Sequence, residues 1–109
     1  MYCREIRLLR LLSHDNIVKL EFVYPPEDTD FSDLYLQFEI MEADLGGILR
    51  SSQPLSDDQF QYFMAQLLDA LNYMHTSCII HRDLKPRNIL VNSNCLLKVT
   101  GLELYIQWI

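Results

Sequence analysis

Apolar and polar positions follow several rhythms along this chain, and the clearest lies in its middle. Phe60, Phe63, Met64, Leu67, Leu68, Leu71 and Met74 recur at three- and four-residue spacing. That spacing predicts a helix of about five turns with a broad apolar face. Ser56-Asp57-Asp58-Gln59 stands ahead of it as a capping box, with both aspartates at the positive end of the helix dipole. The helix is expected to run to around His75, its stripe serving as core. Ile6, Leu8, Leu9 and Leu12 place a second helix over 1–12, ended by Ser13-His14-Asp15-Asn16. Residues 17–24 read as a short strand, closed by Pro25-Pro26 and the acidic loop EDTDFSD. Residues 34–40 are mostly apolar, as expected of a strand covered on both sides. A weak helix is expected over 44–50, because Gly46 and Gly47 each cost about 1 kcal/mol relative to alanine. Short strands follow at 79–80, 89–91 and 96–99, the last two joined by a turn at Asn92-Ser93-Asn94.

The 109 residues suffice for one small domain, and half of them are hydrophobic, so a core can form. The formal charge is −6, with nine Lys+Arg against fifteen Asp+Glu. A nucleic-acid or anionic-membrane partner is therefore not expected, because neutralising phosphates needs clustered cations. The arginine-leucine pattern of the first twelve residues would suit a transit peptide, but Glu5 argues for an ordinary packed helix. No apolar run approaches the roughly 18 residues of a membrane span. Cys3, Cys78 and Cys95 lie far apart, with no CxxC spacing. They suggest neither a zinc site nor a disulfide framework, and reduced cysteines in a cytoplasmic or nuclear protein are expected.

The chemistry concentrates in residues 81–88, HRDLKPRN. One loop there holds Asp83, Lys85 and Asn88, a set suited to passing a phosphoryl group to a hydroxyl. A carboxylate orients the hydroxyl and takes its proton, an ammonium neutralises phosphate charge, and an amide oxygen can hold Mg2+. As a bare tripeptide, His-Arg-Asp would read as a polar turn. Lysine, proline and asparagine in register, followed by a β-hairpin pattern, make the catalytic reading the stronger one.

With these residues the chain resembles the eukaryotic protein kinases. Lys85-Pro86 resembles the serine/threonine branch, and REIRLLRLLSHDNIVKL, MEADLGGIL, SSQPLSDD and HRDLKPRNILVNSNC resemble a mitogen-activated protein kinase over residues 4–99. The resemblance implies an α+β partial protein-kinase fold. In it 1–40 is a remnant of the N-terminal lobe, 41–43 the hinge, 44–99 the upper C-terminal lobe and 100–109 an unrelated tail. Asp83 is implied as catalytic base, Lys85 as γ-phosphate contact and Asn88 as ligand of a Mg2+ that accompanies ATP. His81 is implied as a packed spine residue and Arg82 as partner of a phosphorylated activation loop. Glu5 matches the helix glutamate that pairs with the ATP-positioning lysine, and Phe38 the gatekeeper. Glu39 and Met41 match the hinge backbone that bonds adenine, Asp44 the ribose contact and Leu90 the floor of the adenine pocket. Leu55 and Cys95 fall beside the groove that docks linear peptide motifs. Each also has a plainer reading: Phe38, Met41 and Leu90 as core, Glu5 as a solvated charge, Asp44 as a helix cap.

The pattern also departs from the family. Met1 stands four residues before Glu5, so the glycine-rich phosphate loop and the ATP-positioning lysine are expected to be missing. After Val99 the family reads roughly Cys-Asp-Phe-Gly-Leu, whereas this chain reads Thr100-Gly101-Leu102. The metal-binding aspartate is thus expected to be absent, and the chain to be an inactive, truncated piece of the catalytic domain. The alternative expectation is a non-catalytic binding module for docking peptides or partner kinases. Either way, the apolar face of the 57–75 helix would be open to a covering partner.

Overall fold

The computed structural model describes residues 2–24, 35–101 and 107–108. Helix α1 spans Tyr2–Leu11, and the extended strands β1 (Leu20–Tyr24) and β2 (Tyr35–Phe38) pair antiparallel. A short strand β3 (Ala43–Asp44) leads into α2 (Leu45–Arg50), and the long helix α3 runs Asp57–Thr76. Strand β4 (Ile79–Ile80) precedes the loop of interest, which ends in one 3-10 turn at Pro86–Asn88. β5 (Ile89–Val91) and β6 (Leu97–Val99) form a hairpin, and β3 joins it to give the antiparallel order β3-β5-β6. This mixture of helices and small antiparallel sheets is the expected α+β, partial kinase-type architecture.

The start of α3 follows the sequence closely. Ser56 Oγ accepts a hydrogen bond from the Gln59 amide at 3.1 Å, and Gln59 Oε1 accepts from the Ser56 amide at 3.0 Å. Two amides with no partner inside the helix are thereby satisfied. On α3, Phe63, Gln66, Ala70 and Met74 are buried. Met74 and Ala70 join Leu9, Ile17, Leu20, Ile79 and Val99 in one apolar cluster, so α1, β1, α3, β4 and β6 share a core. Phe63 with Ile89, Val91 and Leu97 forms a second cluster, which holds the hairpin against α3.

Four expectations need correction. The strand expected over 17–24 starts only at Leu20. Ile17 instead bridges Val99 in parallel, and Val18 donates to the Val99 carbonyl at 3.0 Å. The 34–40 segment is not covered on both sides: Tyr35 and Gln37 are exposed, and only Leu36 and Phe38 turn toward the core. A two-stranded sheet packs one face and leaves the other wet, so the alternation of an antiparallel pair prevails. The end of the tail, for which no place was expected, is paired: β7 (Gln107–Trp108) lies antiparallel to β4.

The fourth correction concerns only the reading of the whole α3 stripe as core; the open face that the kinase resemblance implied is present. Phe60, Met64 and Leu68 recur every four residues, yet they are 55%, 39% and 58% exposed. Only part of the stripe is core, and the rest forms an open apolar ridge. Such a ridge favours association. Placing lysine at Phe60 and Leu68 together is expected to lower hydrophobic-dye fluorescence and sedimentation-detected association at least severalfold. Helicity should not fall, because exposed positions tolerate such changes within about 0.5 kcal/mol. Unchanged dye binding would show that the ridge is already covered.

Candidate active site

The 81–88 loop is held by a closed set of hydrogen bonds. His81 is buried, and its Nδ1 accepts from the Asp83 amide at 3.0 Å. Its Nε2 lies 2.7 Å from the Thr100 carbonyl, so the ring proton resides on Nε2 and is donated there. Between His81 and Asp83, Arg82 is exposed and adopts φ +77°, a left-handed conformation that costs a non-glycine residue energy. The bonds on either side hold that turn and aim Asp83 outward.

Asp83 is a carboxylate with one oxygen engaged. Its Oδ2 lies 3.2 Å from Lys85 Nζ and accepts from Asn88 Nδ2 at 3.3 Å. Asn88 Nδ2 also donates to the Asp83 carbonyl at 2.9 Å, which fixes the amide so that Oδ1 is left as the free acceptor. Asp83 Oδ1 has no hydrogen-bond partner among the described residues. The side chain is about one-quarter exposed (27%), so a hydroxyl can reach it. The arrangement offers one free carboxylate oxygen beside a cation, which suits orienting a hydroxyl and taking its proton.

Whether a metal fits is a separate matter. Thr100 donates its amide to the Asn88 carbonyl at 2.9 Å, and the chain then turns at Gly101 with φ +86°. A Cβ on Gly101 would stand 2.8 Å from Asn88 Cγ, so only glycine permits this approach. The Gly101 backbone therefore lies against the amide expected to hold Mg2+. No group of three His, Cys, Asp or Glu side chains that would hold a metal ion occurs among the described residues. Mg2+ is usually bound through one or two carboxylates together with substrate phosphates. Asn88 with a carboxylate already turned onto Lys85 does not make such a site.

Asp44 and Leu90, the residues expected to meet ribose and adenine, are direct cross-strand partners in the β3–β5 pair. Asp44 also caps α2, its Oδ1 accepting from the Gly47 amide at 2.8 Å. Phe38, at the end of β2, is half-buried against the first core cluster. Glu39 donates its amide to the Lys19 carbonyl at 3.1 Å, and its carboxylate pairs with Lys98. Met41 is half-buried, and its backbone bonds to no other backbone group among the described residues. Glu5 lies on α1, but its side chain is outside the described residues. Leu55 lines an apolar pocket with Leu45, Phe60, Phe63 and Met64. Cys95 sits nearby against the second cluster, at a left-handed φ of +67° that closes the hairpin turn.

Against this geometry stand the chain's likenesses. The protein kinase domain pattern matches residues 1–106. The chain belongs to the protein kinase domain family. The kinase match passes Val99, where the sequence resemblance had been drawn to stop. Mitogen-activated protein kinase 5 of Arabidopsis thaliana is 51% identical over 102 residues, 93% of this chain and 27% of that protein. A mitogen-activated protein kinase homolog, NTF6 of Nicotiana tabacum, is 50% identical over 97 residues, 88% of this chain and 26% of that protein. This kinase chain therefore spans about a quarter of the length of the curated relatives it matches. The resemblance to serine/threonine kinases of the mitogen-activated type holds.

Sequence reasoning missed the polar clamp that ties the β5–β6 hairpin to α3. Gln66 Oε1 accepts from Asn16 Nδ2 at 3.1 Å and from the Leu97 amide at 2.9 Å, while its Nε2 donates to the Cys95 carbonyl at 2.8 Å. Gln66 lies in helical phase with Phe63, Ala70 and Met74. A polar residue on the buried face of a stripe was the available signal.

Proposed function

We propose that these residues are the catalytic-loop portion of a serine/threonine kinase of the mitogen-activated type, which transfers the ATP γ-phosphate to protein hydroxyls. Asp83 takes the hydroxyl proton and Lys85 faces the phosphate. Glu39 and Met41 would bond adenine through the hinge backbone, with Phe38 as gatekeeper, Asp44 at the ribose and Leu90 as the floor of the adenine pocket. The observation that carries this reading is the free Asp83 Oδ1, in a loop braced by His81, Lys85 and Asn88. Residues 1–40 would then form the N-terminal-lobe portion, 41–43 the hinge and 44–99 the upper C-terminal lobe, within a cytoplasmic or nuclear protein. The 109 residues alone do not complete a phosphate and metal site, so they are inactive by themselves.

Grafting tests the loop separately from what surrounds it. Residues 6–99, placed over the matching segment of a mitogen-activated protein kinase relative, are expected to sustain phosphorylation of a serine/threonine substrate. Asp83→Asn within the graft should lower the rate by about 10²–10⁴-fold, the usual contribution of a placed base. A folded graft whose rate is unchanged by Asp83→Asn would overturn the role of Asp83.

A second reading, a non-catalytic module that binds docking peptides or a partner kinase, draws on the apolar pocket at Leu55, Phe60 and Met64. It gains ground if the folded graft binds nucleotide but transfers nothing.

A further inference from the structure

An open cleft of about 320 Å³ lies between α2 and the Pro86–Asn88 turn, lined by Gly46, Leu49, Arg50, Lys85, Pro86 and Arg87. Three of its six lining residues are cationic, and none is acidic. That is unexpected in a chain with formal charge −6. Lys85 leans on Asp83, but among the described residues neither Arg50 nor Arg87 has a carboxylate within ion-pair distance. Asp44 is close, yet its Oδ1 is held by the Gly47 amide.

The local backbone brings the two arginines together. Gly46 is buried, and a Cβ on it would lie 3.3 Å from Arg50 Nη1 and 3.6 Å from the Arg87 amide nitrogen. The same point lies 3.0 Å from Asp44 Oδ1, so the Arg50 guanidinium, the Asp44 carboxylate and the Arg87 backbone all approach the bare Cα of Gly46. An arginine in the last turn of α2 complements the helix dipole, but six residues make a weak dipole and leave Arg87 unexplained. Like charges sharing a concavity repel, and an anion entering it relieves that repulsion. The planar guanidinium fork also matches carboxylate and phosphate oxygens bidentately.

We infer that this cleft receives an anionic side chain, a carboxylate or a phosphomonoester, on a peptide whose serine or threonine hydroxyl lies at Asp83. Lys85 belongs to both places, so the two subsites are contiguous. Leu49 and Pro86 give the anion's methylene stem an apolar wall. Arg50 and Arg87 are thus specificity-determining residues for acidic or already phosphorylated peptides. The inference rests on the kinase reading for where the hydroxyl lies, but not for the binding itself.

The test measures binding to the 109-residue chain, tethered sparsely so that copies do not meet. Three dye-labelled peptides share one serine and differ at flanking positions, which carry phosphoserine, glutamate or glutamine. Both acidic peptides are expected to bind about tenfold or more tightly than the glutamine peptide, because hydrogen bonds to charged groups reach that size. The advantage should vanish in the Arg50→Gln/Arg87→Gln variant and persist in Arg10→Gln, which alters an exposed arginine on α1. If the double variant loses helicity, Arg87→Gln alone carries the comparison. A preference for phosphoserine alone would identify a phosphate site, and equal preference a general anion site; both support the cleft. Equal affinity for all three peptides, or an advantage that survives the variant, overturns it. Failure of the graft would overturn the Asp83 assignment without touching this result.

Discussion

Gln66→Leu is expected to abolish cooperative folding of the chain, although leucine has nearly the volume of glutamine and enters an apolar face. Gln66 is 7% exposed and answers the Leu97 amide, the Asn16 side chain and the Cys95 carbonyl together. With leucine there, the Leu97 amide and the Cys95 carbonyl lose these partners, while the Asn16 side chain keeps only its bond to the Leu97 carbonyl at 2.9 Å. Each buried polar group left unsatisfied costs about 1–3 kcal/mol. Native stability is typically only ~0.05–0.15 kcal/mol per residue, so two such losses remove much of it. The hairpin that carries Leu90 and follows the HRDLKPRN loop would detach from α3. Urea titration followed by circular dichroism should show no folded baseline for the variant, and rapid exchange of the Leu97 amide. A variant within about 1 kcal/mol of the parent would show that the clamp is incidental.

The larger effect is expected in catalysis. A bound metal supplies several kcal/mol of transition-state stabilisation in phosphoryl transfer, and each ~1.4 kcal/mol lost is tenfold in rate. Here the one amide expected to hold Mg2+ is that of Asn88, and the Gly101 backbone lies against it. The chain has three glycines, Gly46, Gly47 and Gly101, and these cannot form a G-x-G-x-x-G phosphate cradle. Of its three lysines, Lys85 is in the loop, Lys98 pairs with Glu39 and Lys19 is exposed on the approach to β1. None stands in for an ATP-positioning lysine. A well-placed base restores only about 10²–10⁴-fold of what is missing. Transfer by these residues alone should therefore be many decades below that of a complete kinase.

What the sequence made legible was local. The capping box, the α3 periodicity, the hairpin turn and the HRDLKPRN loop each depend on residues within a few positions of one another. What escaped depends on partners far along the chain. Ile17 meets Val99, Gln66 joins Asn16 to Leu97, and Lys98 reaches Glu39. No spacing rule announces such pairs. The burial of α3 was overread for the same reason: periodicity reports that a face is apolar, not whether a neighbour covers it. Within the site, Asp83, Lys85 and Asn88 were visible as a motif. The Arg50–Arg87 cleft was not, because it forms only when the end of α2 folds against the turn after Lys85.

The most direct measurement is incorporation of labelled phosphate from ATP with Mg2+ into a serine/threonine-proline peptide by the purified 109-residue chain, beside its Asp83→Asn variant. The account predicts the same background for both. Incorporation above background that disappears in the Asp83→Asn variant would contradict it, because the loop would then be catalysing without a phosphate cradle, an ATP-positioning lysine or a metal-binding carboxylate.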